Sequence, residues 1–266
     1  MVRIAVGVPY LRSFEGYFLE TMLGLSKPQD SLFFKVPDKP VDLARNILVE
    51  KVLSEPSITH LLMVDSDMIL PTDALFRLVQ DDKDVVSGTY FARSEQPFPH
   101  LYQFNHQDNP DGTCPEGRDH EETGRWYAPM AKQFTAYLKR HPEFNDHPLT
   151  AVLPATPDAL IPVEAAGAGI LLIKRHVLEA LEYPYFKCHE RSAGGEDFYF
   201  FEKAREAGFE TWGDFSVQCQ HEFRGVFMDR ADFQSCYHIG QEDEYDFEKA
   251  ILVDMSPQDR IVSEAG

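Results

Sequence analysis

The sequence predicts an α/β protein: a mostly parallel sheet flanked by helices. Short apolar runs such as HLLMV at 60–64 alternate with stretches of helical periodicity through the first third of the chain. These runs break off abruptly into acidic or turn residues, as buried strands do. A hydrophobic content of 43% over 266 residues supports one large core, read as a single domain over 1–266.

Residues 3–9 alternate Ile4, Val6 and Val8 with Ala5 and Gly7, a strand stopped by a proline that brings Pro9 and Tyr10 to a sheet edge. A looser stretch follows. Ala44, Ile47, Leu48 and Val52 then recur at helical spacing, so a helix is expected over 42–53, with Asp42 as its cap and Arg45 and Asn46 in its first turn. The run at 60–64 is too short for a helix and ends in Asp65-Ser66-Asp67, after which Pro71-Thr72 opens a helix through Gln80. A strand over 84–91 completes the alternation. In such sheets ligands gather at the C-terminal ends of strands, where the acidic pair lies.

Residues 94–162 are rich in Pro, His, Asp and Asn and read as an insertion over the sheet face, with one helix near 130–140. VEAAGAGILLIK at 163–174 reads as one strand, whose Gly167 and Gly169 permit close backbone approach to a ligand or another strand. A helix over 176–182 ends before Pro184. Gly194-Gly195 precedes Glu196-Asp197 and a helix, DFYFFEKAREAGF, with Gly208 as its C-cap. A strand over 211–219 carries His221 just beyond it, and 222–266, with an acidic run at 241–248, reads as a C-terminal tail.

Charge narrows the function classes. Lys and Arg number 25 against 44 Asp and Glu, a net −19, the opposite of the basic footprint that a general nucleic-acid binder needs. No window approaches the roughly 20 apolar residues of a membrane span and no signal core opens the chain, so a soluble, cytoplasmic protein is expected. Cys114, Cys188, Cys219 and Cys236 are scattered without a Cys-x-x-Cys pair and read as reduced thiols. Cys188-His189, Cys219-Gln220-His221 and Cys236-Tyr237-His238 put soft ligands together, but not at zinc spacings.

The chemistry concentrates in four places. Asp65 and Asp67 at a strand end can hold a hard divalent cation and a nucleotide diphosphate, although such a triplet also serves as an acidic turn before a helix. Glu196-Asp197 can supply a general base for an acceptor hydroxyl, or simply favour the helix dipole at its N-terminus. His221 with Asp67 forms a mixed oxygen and imidazole set suited to Mn²⁺, or stands alone at the surface. Arg45, near a helix N-terminus, can neutralise phosphate, or be a solvated helix residue.

In this order, IAVGVPY, LARN, HLLMVDSDMILPTDAL, DVVSGTYFAR, VEAAGAGILLIKR, GGEDFYFFEKAREAGFETWGD and VQCQHE resemble the nucleotide-sugar glycosyltransferases of the GT-A fold, above all the family-two-like group of bacteria and phages. The resemblance spans most of the chain outside the insertion and the tail. It implies a hexosyltransferase that takes a UDP- or GDP-sugar with Mn²⁺ or Mg²⁺. It implies that Asp65 and Asp67 bind the metal and nucleotide, with Asp67 the more direct ligand and His221 an additional one. Pro9 and Tyr10 become the nucleotide pocket, assisted by Arg45, and the GAGI stretch lies beside the donor sugar. Asp197 becomes the base, with Glu196 its substitute, in an inverting transfer, though some retaining GT-A enzymes also carry GGE. The acceptor is left open among a glycan, protein, lipid-linked or modified nucleobase hydroxyl. Two other readings stand beside this one: a metal-dependent nucleotidyltransferase, against which VGVPYLRSFEG lacks a glycine- and basic-rich loop, and a non-catalytic nucleotide- or sugar-binding module.

Overall fold

The computed structural model describes residues 2–93, 98–104, 119–120, 125–127, 149–154, 158–188, 195–223 and 226–228. The first part of the chain runs β1 (Ile4–Tyr10), α1 (Gly16–Gly24), β2 (Leu32–Pro37), α2 (Val41–Ser54), β3 (His60–Val64), β4 (Met68–Ile69), α3 (Ala74–Gln80) and β5 (Val85–Thr89). The middle supplies β6 (Leu101–Phe104), β7 (Asp119–His120), β8 (Arg125–Tyr127), β9 (Leu149–Pro154), β10 (Leu160–Val163), β11 (Ala165–Ala166) and β12 (Ile170–Lys174). Then come α4 (Arg175–Ala180), α5 (Glu196–Glu206), β13 (Thr211–Gln218), β14 (Gln220–Phe223) and β15 (Val226–Met228).

The central sheet has the order β10-β13-β5-β12-β3-β1-β2. β1 is parallel to β2 and β3, and β5 to β13, while β12 is antiparallel to both β3 and β5 and β10 to β13. Hence β1, β2, β3, β5 and β13 all point one way, and the start of β12 arrives at the edge where β3 and β5 end. Ile170 pairs with Val64 there.

Each strand residue chooses a face by the period of two. Leu61 and Met63 pack with Val49 and Val52 of α2, Val177 and Leu178 of α4, and Phe200 and Phe201 of α5. Leu62 and Val64 pack with Phe18 of α1 and with Leu75 and Leu78 of α3. With helices on both faces, β3 is apolar without interruption, which is why it reads as a run rather than an alternation.

Several expectations change. Between the first strand and the second helix the chain holds α1 and β2, which the sequence reading left unassigned. GYFLETMLG has glycine at both ends and no side-chain cap, and β2 is an edge strand with alternate residues exposed. Asp42 does not cap α2, which starts after Pro40; its carboxylate instead accepts hydrogen bonds from the amides of Leu43 and Cys188. The expected single strand over 163–174 is broken into the end of β10, β11 and β12. Gly208, at φ +87°, ends α5 just beyond its C-cap residue Ala207, a left-handed position that glycine adopts without strain.

Strands β6, β7, β8 and β9, between residues 101 and 154, join β11 in an antiparallel sheet of order β11-β6-β9-β8-β7. Residues 222–223 and 226–228, read as tail, instead belong to β14 and β15 in a three-stranded sheet with β4. The helix expected near 130–140, the run at 241–248, and Cys114 and Cys236 lie outside the described residues. Cys188 and Cys219 are free thiols, one exposed and one buried. Among the described residues no helix is long and apolar enough to cross a membrane.

Candidate functional site

The site grows from the turn that ends β3. The amide of Asp65 donates to the carbonyl of Gly169 at 3.0 Å, which ties the turn to the start of β12. β4 follows at once and pairs with β14, Met68 opposite His221 and Ile69 opposite Gln220, while the amide of Glu222 donates to the carbonyl of Asp67 at 3.0 Å. This ladder brings His221 to Asp67 across 154 residues of chain (221 minus 67).

His221 is buried, and its Nδ1 lies 2.9 Å from the carbonyl of Phe91. A carbonyl only accepts, so Nδ1 carries a proton, and in the neutral ring Nε2 turns a lone pair towards Asp67 Oδ2 at 3.5 Å. Arg93 approaches the same Oδ2 with Nη1 at 2.7 Å. Asp67 Oδ1 is buried and has no hydrogen-bond partner. Burial pushes the Asp67 carboxyl up, but the hydrogen bond and charge that the His221 ring supplies when Nε2 is protonated, and the charge of Arg93, outweigh it and hold Asp67 below its ordinary value.

An orphaned carboxylate oxygen and, in the neutral ring, an imidazole lone pair facing the other oxygen fit a divalent cation of the Mn²⁺ or Mg²⁺ kind. The set is open, since among the described residues no three His, Cys, Asp or Glu side chains form a metal cluster.

Asp65 faces the other way, into a second cluster built on Arg45. Arg45, the fifth residue of α2 and so just past its first turn, is 2% exposed. Its Nη2 lies 3.0 and 3.1 Å from the two oxygens of Asp65, its Nε 2.8 Å from Glu196 Oε1 and 3.6 Å from Asp197 Oδ1, and its Nη1 3.3 Å from the carbonyl of Ala168. Burial disfavours the guanidinium charge, but Asp65, Asp197 and Glu196 overcome that and keep it protonated. These donors are committed to carboxylates and a carbonyl, so the geometry makes Arg45 an internal clamp rather than a free phosphate ligand. Next to it, Asn46 is buried and bonds both the amides of Tyr185 and Phe186 and the carbonyl of Phe186, fixing the segment that leads towards α5.

Glu196 and Asp197 share Arg45 yet diverge in acidity. Burial pushes Glu196 up, but the charge and hydrogen bond of Arg45 bring it below its ordinary value. Asp197 is held well above its own, by burial and by the charges of Glu196 and Asp65, against the pull of Arg45. Its Oδ2 accepts from the amide of Ala168 at 3.2 Å, while Oδ1 has no hydrogen-bond partner. Neighbouring carboxyls with acidities driven apart are the usual arrangement for dividing proton transfer from electrostatic support.

The two glycines of the GAGI stretch answer to Tyr90. A Cβ on Gly167 would lie 1.8 Å from the Tyr90 hydroxyl and one on Gly169 2.7 Å from its ring, and the amide of Gly169 donates to that hydroxyl at 3.0 Å. Tyr90 is thus the close neighbour that splits the expected strand. Its ring stacks on His100 and meets His221 edge-on, with centroids 4.8 and 5.3 Å away. The Tyr102 hydroxyl bonds His100 Nδ1, and Tyr102 packs against Phe198, the residue after Asp197. Pro9 and Tyr10 end β1, one strand from β3; continuing the register Gly7–Met63 sets Pro9 level with Asp65. Tyr10 rests on Phe14, with centroids 4.2 Å apart.

Sequence reasoning thus placed Asp65, Asp67, His221, Glu196, Asp197 and Arg45 in one region, and missed Tyr90, Arg93, His100 and Tyr102. The signal for the first two was available: they follow β5, whose C-terminal end opens on the same edge as that of β3.

Neither a known protein family nor a curated protein matches the chain. Among solved structures it is similar to the A197 protein from STIV, at 16% identity and a TM-score of 0.54 over 87% of this chain and 92% of that one. Looser likenesses are GalNAc-T7, solved with UDP, GalNAc and Mn²⁺ (12% identity, TM-score 0.48, 84% of this chain and 45% of that one), and S. aureus TarS in complex with UDP-GlcNAc (11%, 0.39, 80% and 56%). At such identities what is shared is the fold: a mixed α/β chain around a mostly parallel sheet.

Proposed function

We propose that this protein is a glycosyltransferase of the GT-A kind, moving a sugar from a nucleoside diphosphate donor, UDP or GDP, to an acceptor hydroxyl with inversion. The observation that carries the reading is the meeting of two half-sites at one sheet edge: the Asp67–His221 pair with an orphaned oxygen, and the Arg45-clamped Glu196–Asp197 pair. A Mn²⁺ or Mg²⁺ ion held by Asp67 and His221 would offset the charge of the departing diphosphate. Asp65 is turned to Arg45 and supports the turn from behind.

Asp197 acts as the general base. It takes the proton of the acceptor hydroxyl as that oxygen bonds to the anomeric carbon, and the bond from that carbon to the diphosphate oxygen breaks. Glu196 stays ionised against Arg45 and keeps the guanidinium in place. Tyr90, through the amide of Gly169, fixes the backbone whose preceding amide, at Ala168, holds Asp197. A net charge of −19 disfavours polyanionic acceptors and leaves neutral hydroxyls on a glycan, protein or lipid-linked carrier.

The test is Asp67→Ala. It should keep the circular dichroism of the wild type and lose Mn²⁺-dependent binding of UDP and GDP in calorimetric titration. Unchanged Mn²⁺-dependent affinity would overturn the assignment.

A further inference from the structure

Arg93 stands at the rim of the site. Its side chain is 52% exposed, and its Nη1 lies 2.7 Å from Asp67 Oδ2. We propose that Arg93 is a donor-sensing residue: it neutralises Asp67 until a nucleoside diphosphate binds, then exchanges onto the diphosphate, so that it opposes binding of the divalent cation alone and favours cation and nucleotide together. This rests on reading Asp67 as a cation ligand.

Three observations carry it. A carboxylate already in contact with a guanidinium has much of its negative potential cancelled, and a second cation is drawn to it less strongly. Asp65 cannot make up the difference, because both its oxygens lie within 3.1 Å of Arg45 Nη2. A cation alone therefore meets one paired carboxylate and one imidazole, an incomplete set against the roughly six ligands that such an ion takes.

A diphosphate changes both sides of the balance. It brings oxygens for the cation and an anion for Arg93, whose planar fork suits phosphate. Arg45 cannot take this part, being 2% exposed with its donors engaged. Arg93, 52% exposed, is the arginine of this edge that solvent and a ligand can reach.

The experiment measures two affinities on the full chain: Mn²⁺ alone, followed by electron paramagnetic resonance of the free ion, and UDP and GDP at saturating Mn²⁺, followed by calorimetry. Arg93→Ala should bind Mn²⁺ roughly threefold or more tighter, and the favoured nucleotide about tenfold weaker. Arg93→Lys keeps the charge without the fork, so its Mn²⁺ affinity should stay near the wild type while part of the nucleotide affinity is lost. Arg77→Ala, an exposed arginine paired with Asp73, should move neither. A purely structural role moves both affinities in the same direction. The proposal is overturned if Arg93→Ala weakens Mn²⁺ binding or leaves either affinity unchanged. Asp67→Ala separates the levels: if Mn²⁺ binding survives it, the cation site and the role of Arg93 fall together; if it abolishes binding while Arg93→Ala changes nothing, only the role of Arg93 falls.

Discussion

Around Arg45 the donors find acceptors, the guanidinium is buried, and two helices, α2 and α5, are joined to the β3 turn through it. Around Asp67 the pairing is incomplete: one oxygen has no partner, an imidazole nitrogen faces the other at 3.5 Å, and the neighbouring arginine is exposed. The difference teaches how this edge divides its labour. The closed half holds geometry, at the cost of burying charge, and leaves Asp197 Oδ1 without a hydrogen-bond partner; the open half leaves Asp67 Oδ1 so, with its other oxygen paired to an exposed arginine.

The largest effect should come from breaking the closed half. Arg45→Met strands Asp65, Glu196 and Asp197 without their counter-charge, and removing one partner of a buried ionic cluster costs about 3–5 kcal/mol. Urea unfolding at neutral pH should show that loss, whereas Arg93→Ala should stay within about 0.5 kcal/mol. If Arg45→Met unfolds with a loss under about 1 kcal/mol, the contrast between the two halves disappears.

Asp197→Asn sharpens the comparison, because it alters the closed half without removing its clamp. Nucleotide affinity should hold while the rate of nucleoside diphosphate release falls about 10²-fold or more. The base must be ionised, and Asp197 sits well above the ordinary aspartate value, so wild-type kcat/KM should rise with pH along a limb displaced upwards from a normal carboxylate. A limb in the normal range moves the base elsewhere, and Glu196→Gln is then the variant to measure.

The smallest effect concerns a half-buried carboxyl that meets another acid instead of an arginine. Asp81 is pushed up from 3.8 to about 7 by burial and by the charge and hydrogen bond of Asp214. Its folded value exceeds its unfolded one, so the protonated pair stabilises the fold fully below about pH 4, and that contribution is lost as pH rises through about 7. Asp81→Asn should therefore flatten the fall in the urea midpoint between pH 5.5 and 8; an unchanged slope would separate Asp81 from this behaviour.

The sequence was most legible where burial acts on short segments. HLLMV announced β3, the acids after it announced the turn, periodicity announced α2 to within one residue, and the glycines that flank α5 announced its two ends. The elements it hid draw their stability from tertiary contacts. α1 has no cap signal, and the break before β12 depends on the Tyr90 ring, which lies some 80 residues earlier. The site was legible as residue types, through the acidic pairs and His221. Its wiring was not, because the partnership of Arg45 with Glu196 spans 151 residues and nothing local records it.

The short β4–β14 ladder also makes the site observable without any ligand. The amide of Glu222 is bonded to the carbonyl of Asp67, and β14 lies antiparallel to the residues just after it. Isotope exchange at this one amide thus reports how often the late strand lifts away from the early turn, and each opening that exposes it also separates His221 from Asp67. Its protection factor is a free-energy gauge of site assembly, readable in the resting protein by magnetic resonance or mass spectrometry.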